Sequence, residues 1–109
     1  MFKIDYANNI TLTRGDSAYI EIELTDEDDY KYALEQGDSL ILTVKQNARC
    51  ANPILQKRFD DINVRIAPKD TQTMSYGSYC YDVQLTTADG DVYTVVGPAR
   101  FTLCEEVTW

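Results

Sequence analysis

The sequence predicts an all-β fold, arranged as a two-sheet antiparallel β-sandwich of about seven or eight strands. Three observations lead to this prediction. Runs that alternate apolar and polar residues recur about every 8 to 12 residues, turn residues bound each run, and no segment keeps apolar residues at helical spacing over three turns. The chain has 109 residues, enough for one hydrophobic core, so we expect a single domain spanning residues 1–109. A closed β-barrel is the alternative architecture.

The first two predicted strands flank a tight turn. Residues 9–13 form a short alternating run that ends at Arg14-Gly15-Asp16. This tripeptide spells an integrin-binding motif, but its glycine and aspartate suit a turn whatever the function. In residues 17–25 apolar side chains occupy alternate positions with glutamates between them, and a register slip by one residue would bury those glutamates. The inward side chains expected here are Ala18, Ile20, Ile22 and Leu24.

An acidic connection follows at residues 26–38. It holds six carboxylate side chains and ends at Gly37-Asp38, a pair that suits a turn. Clustered carboxylates suggest calcium, but a loop of the EF-hand type needs glycine at its sixth position and glutamate at its twelfth. Counted from Asp26, these positions hold Lys31 and Gly37. We therefore expect a solvated loop rather than a metal site.

Three strands are predicted in the middle of the chain. Residues 39–46 alternate, with leucines and a valine on one face. Residues 54–59 and 62–66 are two shorter runs joined at Asp60-Asp61, and in the second run Ile62, Val64 and Ile66 are expected to point inward. Two such runs separated by turn residues predict a hairpin.

The C-terminal third carries the longest alternation, over residues 77–87. Asp89-Gly90 then predicts a type I′ turn, because both central positions of that turn need a positive φ. Residues 92–96 are expected to form the return strand of this hairpin, and residues 100–107 the last strand. The inward side chains expected in this region are Tyr79, Tyr81, Val83, Leu85, Phe101 and Leu103.

The composition excludes several classes of function. The net charge is -8, from 10 basic and 18 acidic residues, which disfavours nucleic acid as a partner. The chain has no histidine, and Cys50, Cys80 and Cys104 lack zinc-ligand spacing, so we expect no metal and no cofactor. Without histidine, the Ser-His and Cys-His pairs of nucleophilic catalysis cannot form, and we expect no enzyme activity. No run approaches the roughly 18 apolar residues of a membrane span, and no leader is recognised, so synthesis in the cytoplasm is expected.

Four stretches carry a resemblance to a known family. They read NITLTRGDS, GDSLILTVKQ, PKDTQTMSYGSYCYDVQLTTADGDVYT and FTLCEEVT in chain order. These stretches resemble small β-sandwich modules of tailed bacteriophages and prophages, including the modules that open the upper baseplate proteins of phages infecting Gram-positive bacteria. The resemblance covers residues 10–108. Its most specific part is GSYCYD at residues 77–82, followed by the Asp89-Gly90 turn.

The resemblance implies an immunoglobulin-like sandwich in a virion component or a tail-assembly protein. Upper baseplate proteins continue past this module into helical and receptor-bearing regions, whereas this sequence stops at Trp109. The length therefore favours a free-standing tail, neck or head accessory protein located in the virion. Its expected partners are other virion proteins or further copies of the chain, with no nucleic acid and no membrane. The alternative is a small phage-encoded effector that binds and inhibits a host protein.

Two groups of residues are candidates for structural and binding roles. Tyr79 is expected to be a tyrosine corner, which returns its hydroxyl to nearby backbone, and Tyr81 a core residue; packing of both without that bond is the alternative. For partner binding, the acidic connection offers tyrosines among carboxylates, since tyrosines are common interface anchors. The partner-binding candidates are Asp26, Asp28, Asp29, Tyr30 and Tyr32. Packing over the open end of the sandwich is the alternative role for these two tyrosines.

Overall fold

The computed structural model describes residues 2–4, 9–22, 24, 34–47, 49 and 52–105. Within these residues the protein is mostly β, with eight strands and one short helix. In chain order the elements are β1 (Phe2–Ile4), β2 (Ile10–Thr13), β3 (Ala18–Glu21), β4 (Ser39–Lys45), β5 (Leu55–Phe59), β6 (Asn63–Ile66), α1 (Pro68–Thr71), β7 (Gly77–Thr86) and β8 (Val92–Cys104). The predominance of strands predicted from the alternation is confirmed.

The strands form two sheets of unequal size. Strands β2, β8, β7, β4 and β5 lie side by side in a curled, mixed half-barrel, and the short β1 adds to its β2 edge. Strands β3 and β6 form a separate two-stranded antiparallel sheet. In the described part of the chain this is not a clear immunoglobulin sandwich, because the smaller sheet has only two strands and the larger one curls.

One strand pair of the large sheet is parallel, so the prediction of a purely antiparallel sandwich is wrong. Strand β2 runs in the same direction as β8, from Ile10 opposite Phe101 to Thr13 opposite Cys104. These two strands lie near opposite ends of the sequence, and no short turn joins them. Their relative direction is therefore not imposed by a hairpin, and tertiary packing decides it.

The core is one cluster of buried apolar residues drawn from both sheets. Strands β2, β3, β4, β6, β7 and β8 contribute alternate residues, as the pleat of a strand requires. The inward faces predicted for the long strands are confirmed. Of the predicted inward residues, Ile62 is only partly buried. Those that are buried are Ala18, Ile20, Ile22, Leu24, Leu40, Leu42, Val44, Val64, Ile66, Tyr79, Tyr81, Val83, Leu85, Phe101 and Leu103.

Strands β5 and β6 do not form the predicted hairpin. Strand β5 pairs with β4 in the large sheet, whereas β6 pairs with β3 in the small one. Residues 60–62 therefore carry the chain from one sheet to the other, with the Asn63 N–H donating to Asp61 Oδ1 across 2.6 Å. A turn between strands of one sheet and a corner between two sheets use the same turn residues, which is why the sequence did not separate them.

Strand β8 is a single long strand where two had been predicted. It pairs with β7 along its length, but the register shifts between Tyr81 and Val83 and again between Val83 and Gln84. Gly97 and Pro98 fall in the first of these irregularities, since Tyr81 faces Ala99 while Val83 faces Val96. A β-bulge accommodates proline inside a sheet because it leaves a residue without a ladder hydrogen bond.

The hairpin between β7 and β8 is present, but its turn differs from the predicted one. The Gly90 N–H donates to the Thr87 carbonyl, which makes Ala88 and Asp89 the central residues of the turn. Gly90 follows them with φ +90°. This is a three-residue loop closed by a glycine of positive φ, rather than a two-residue type I′ turn centred on Asp89 and Gly90.

Candidate functional site

The predicted partner-binding residues lie outside the described part of the chain. Asp26, Asp28, Asp29, Tyr30 and Tyr32 all fall in this category. The described surface offers a different candidate site, at the start of β8.

Tyr79 and Tyr81 occupy the positions predicted for them in β7. The Tyr79 hydroxyl donates to the Ser75 carbonyl over 2.5 Å, a local bond of the tyrosine-corner kind. Tyr81 is buried, and its ring meets that of Phe101 edge to face with 6.3 Å between centroids. The two tyrosines thus hold the start of β7 in the core. The hairpin loop follows the other end of the strand.

The Arg14-Gly15-Asp16 turn is fastened to the segment around α1. The Gly15 N–H donates to Thr71 Oγ1 over 3.0 Å, and the Thr71 side chain is fully buried. The Arg14 guanidinium carbon lies 4.4 Å from the centre of the Tyr76 ring. These contacts give the tripeptide a structural role in joining β2 and β3 to the helical segment.

Two adjacent apolar side chains stand exposed at the start of β8. Val92 and Tyr93 are each 55% exposed. Tyr19 and Tyr76 are also exposed, but each has an arginine side chain over its ring. Val92 and Tyr93 follow each other in β8 and point to opposite faces of the sheet, so both faces of this strand end are apolar and exposed, which makes it the stronger candidate for contact.

The same part of β8 is an edge of the large sheet. Strand β7 pairs with β8 from Leu103 back to Val92, whereas β2 pairs only with residues 101–104. The N–H of Arg100, the residue just before this pairing with β2, donates to the Asn9 side-chain oxygen at 2.9 Å. Among the described residues no strand pairs with the other side of residues 92–99, and we call the regular part of this stretch, residues 92–94, the open edge.

The main-chain groups of Val92 and Thr94 point away from β7. The Thr87 N–H donates to the Asp91 carbonyl over 2.9 Å, so these two residues form a hydrogen-bonded pair. Hydrogen-bonded and non-hydrogen-bonded pairs alternate along antiparallel strands. With the observed register, Tyr93 bonds to β7, whereas Val92 and Thr94 present their N–H and C=O groups outward.

The loop next to the open edge is held in place by Asp38. Its carboxylate accepts from the Ala88 N–H at 3.2 Å and from the Glu35 N–H at 3.0 Å. Gly37 approaches the same loop with φ +93°, and a Cβ built on it would lie 2.7 Å from the Ala88 Cβ. The open edge is therefore carried by a supported hairpin, which lowers the entropy that a partner would have to remove on binding.

Replacing Gly37 by alanine should lower the free energy of unfolding by about 1–3 kcal/mol, because alanine is strained at this φ and collides with Ala88. Gly90→Ala should cost about 1 kcal/mol, since its φ is positive but nothing lies within 4 Å of the added carbon. Gly97→Ala is the matched control, with open space and no positive φ. Urea denaturation measures the series, and equal stability of the Gly37 and Gly97 variants would contradict this description of the loop.

The outer face of the large sheet, opposite the core, is polar and has no deep cleft among the described residues. One depression on it is lined by Thr43, Lys45, Cys80, Tyr81, Asp82 and Pro98. Cys80 and Cys104 lie on this face as half-buried free thiols. A shallow depression of mixed polarity lacks the enclosed apolar walls of a small-molecule site.

The described residues contain neither a metal-binding cluster nor a membrane-spanning helix. They include no group of three or more histidine, cysteine, aspartate or glutamate side chains placed to hold a metal ion. No helix in the described part of the chain is long and apolar enough to cross a membrane. The candidate site is the open edge together with Val92 and Tyr93.

Comparison of the sequence with known protein families found no matching family model, and comparison with curated proteins found no match. The candidate site therefore rests on the geometry of this chain.

The sequence did not reveal the open edge in advance. The alternation at residues 92–96 predicts a strand, but exposure of its far side depends on where β2 ends along β8. The one available signal is the pair Val92 and Tyr93, two large apolar residues in succession after Asp91. In a strand with one buried face, two such residues in succession place one of them on the outer face.

Proposed function

We propose that this protein is a non-enzymatic structural or assembly protein of a tailed-phage virion, in the tail, baseplate, neck or head. It acts by protein–protein contact through the open edge of β8. The observation that carries the proposal is the exposed pair Val92 and Tyr93 on a sheet edge whose hairpin is held by Asp38. The resemblance of residues 10–108 to phage β-sandwich modules supports the assignment to a virion.

The fold relationship behind that resemblance is part of the same proposal. We infer that the chain is a divergent immunoglobulin-like module, in which the second sheet is reduced and the first is curled. The Tyr79 hydroxyl bonded to the Ser75 carbonyl supports this inference, because immunoglobulin domains carry a tyrosine with such a bond near the start of a late strand.

The composition of the edge suits a specific contact between proteins. Tyrosine is among the residues that most often dominate interface energy, and the preceding valine makes the other face of the strand apolar as well. Asp89 and Asp91 are exposed next to this pair and supply a polar rim. Acidic side chains near an edge also discourage random pairing with other edges, so the contact should be selective and sensitive to salt.

Particle fractionation tests the proposed function. Particles would be purified on a density gradient from cells that produce the phage and probed with an antibody against this chain. We expect it to sediment with particles at a constant copy number, while a host cytoplasmic protein used as the control stays at the top. If the gene is deleted and infectious particles of normal composition still form, the structural proposal fails and the effector alternative replaces it.

The double variant Val92→Thr with Tyr93→Thr tests the site. Threonine keeps the strand propensity, and both positions are exposed, so stability should change by less than about 0.5 kcal/mol. Incorporation into particles should fall strongly because the apolar contact is lost. Tyr19→Thr is the matched control, since it removes another exposed tyrosine at a distance in sequence. Normal incorporation of the double variant would place the contact elsewhere on the protein.

A further inference from the structure

The open edge leaves two residues with outward main-chain hydrogen-bonding groups. Val92 and Thr94 present them away from β7, and no strand of the described chain meets them. Sheet edges of this kind can pair with an extended segment of another chain, because their N–H and C=O groups already point outward at the spacing of a β-strand. The edge available for pairing ends before Val95, because Val95 lies in a register shift. Further along, Pro98 has no N–H to donate.

The opposite edge of the large sheet shows what a protected edge looks like in this protein. Strand β5 carries Gln56, Lys57 and Arg58 in succession. The Lys57 ammonium reaches across to the Arg65 carbonyl at 3.1 Å and to the Asp70 carboxylate at 2.7 Å. Charged residues and such a bridge prevent the addition of another strand. At residues 92–94 the side chains are valine, tyrosine and threonine, all exposed and all favourable in strands.

The charges around the open edge select the kind of segment that fits. Asp89 and Asp91 are exposed at the end of the hairpin, directly before Val92. The whole chain carries a net charge of -8, so a second copy would be repelled. A segment of opposite charge would be attracted and oriented by the two aspartates.

We propose that the virion partner contributes an extended segment that adds to the open edge as a further strand. The segment hydrogen-bonds to the main chain of Val92 and Thr94. It places apolar side chains beside Val92 and Tyr93, and a lysine or arginine beside Asp89 and Asp91. This inference rests on the proposed function and specifies the chemistry of the partner.

The variant Thr94→Pro tests the strand addition. Proline removes the outward N–H but no bond to β7, and prolines are tolerated at edges where the N–H faces solvent. Thr94→Ala is the matched control, because it removes the same side chain and keeps the N–H. Circular dichroism and a thermal melt establish that both variants are folded. We expect the copy number in particles to fall at least about tenfold for proline, while alanine leaves it near the wild-type value.

A peptide experiment tests the edge independently of the virion. The probe is the peptide Lys-Val-Thr-Val-Thr-Val-Lys, and its control carries glutamate in place of both lysines. In nitrogen-15 NMR spectra at millimolar peptide, the amide signals of Val92 and Thr94 should shift with the lysine peptide and not with the glutamate peptide. Thr94→Pro should abolish the shift at Val92.

The outcomes separate this inference from the proposed function. If the proline and alanine variants enter particles equally well, strand addition is wrong and the virion role stands. If the wild-type chain is absent from particles, the virion role fails and the peptide spectra decide whether the edge accepts a basic strand. If sedimentation shows a dimer that Thr94→Pro dissociates, the occupant is a second copy and the inferred partner is wrong.

Discussion

Replacing Phe101 by alanine is expected to lower the free energy of unfolding by about 3–5 kcal/mol, the range typical of a buried phenylalanine. Phe101 is fully buried and lies on β8 between two neighbouring strands, opposite Ile10 on β2 and Tyr79 on β7. Its ring meets Tyr81 edge to face at 73° between the ring planes. Removing it opens a cavity where three strands meet, so the surrounding side chains cannot close it without moving the sheet.

Urea denaturation followed by far-ultraviolet circular dichroism measures this loss. Tyr81→Ala should cost on the order of 3 kcal/mol, because that side chain shares the cluster. Tyr93→Ala is the control for an aromatic residue on the same sheet that is more than half exposed, and its effect should stay below about 0.5 kcal/mol. A loss below 1 kcal/mol or so for Phe101→Ala would show that the cluster around it is not closely packed.

Asp70→Ala is expected to cost about 2–3 kcal/mol, through the charged hydrogen bonds of a mostly buried carboxylate. Asp70 Oδ2 accepts from the Ala67 N–H at 2.7 Å and from the Lys57 ammonium at 2.7 Å. The Asp70 and Lys57 side chains are 11% and 25% exposed. The pair joins β5 of the large sheet to the segment after β6, and so closes the seam between the two sheets where the predicted hairpin is absent.

A double-mutant cycle apportions the contribution of this pair. Asp70→Asn should cost less than Asp70→Ala, since the amide oxygen can still accept from Ala67. Lys57→Met keeps the aliphatic stem and removes only the cation. The cycle of Lys57→Met with Asp70→Ala should give a coupling energy above about 0.5 kcal/mol. Additive effects would mean that the seam is closed by apolar packing and the ion pair is incidental.

The side-chain alternation predicted which residues are buried because a strand has a period of two whatever it pairs with. Residues 18–24 illustrate this. Strand β3 ends at Glu21, earlier than predicted, yet Ile22 and Leu24 are buried as the alternation requires. Tyr79 was likewise placed correctly, and its hydroxyl bond to Ser75 is local in sequence. Such features depend on residues within a few positions of each other.

The candidate site could not be predicted in the same way. Val92 and Tyr93 are recognisable as strand residues, but the sequence does not show that the edge beside them is open. That edge is open because β2 pairs only with residues 101–104, and because β8 continues past the irregularities at Gly97 and Pro98. The sequence predicts two strands, at residues 92–96 and 100–107, and the glycine and proline between them are residues that weaken regular pairing. In the structure, the bulge keeps β8 continuous and leaves residues 92–99 without a second neighbour in the described chain.

The strand content, the inward and outward faces of the strands and the position of the last hairpin follow from the amino-acid sequence alone. The tertiary structure decided which strands pair, that β2 runs parallel to β8, and that β5 and β6 belong to different sheets. The physical reason is the range of the interactions involved. Alternation and turn preference are local properties of the chain, whereas strand pairing is chosen by how apolar faces distant in sequence can be buried together.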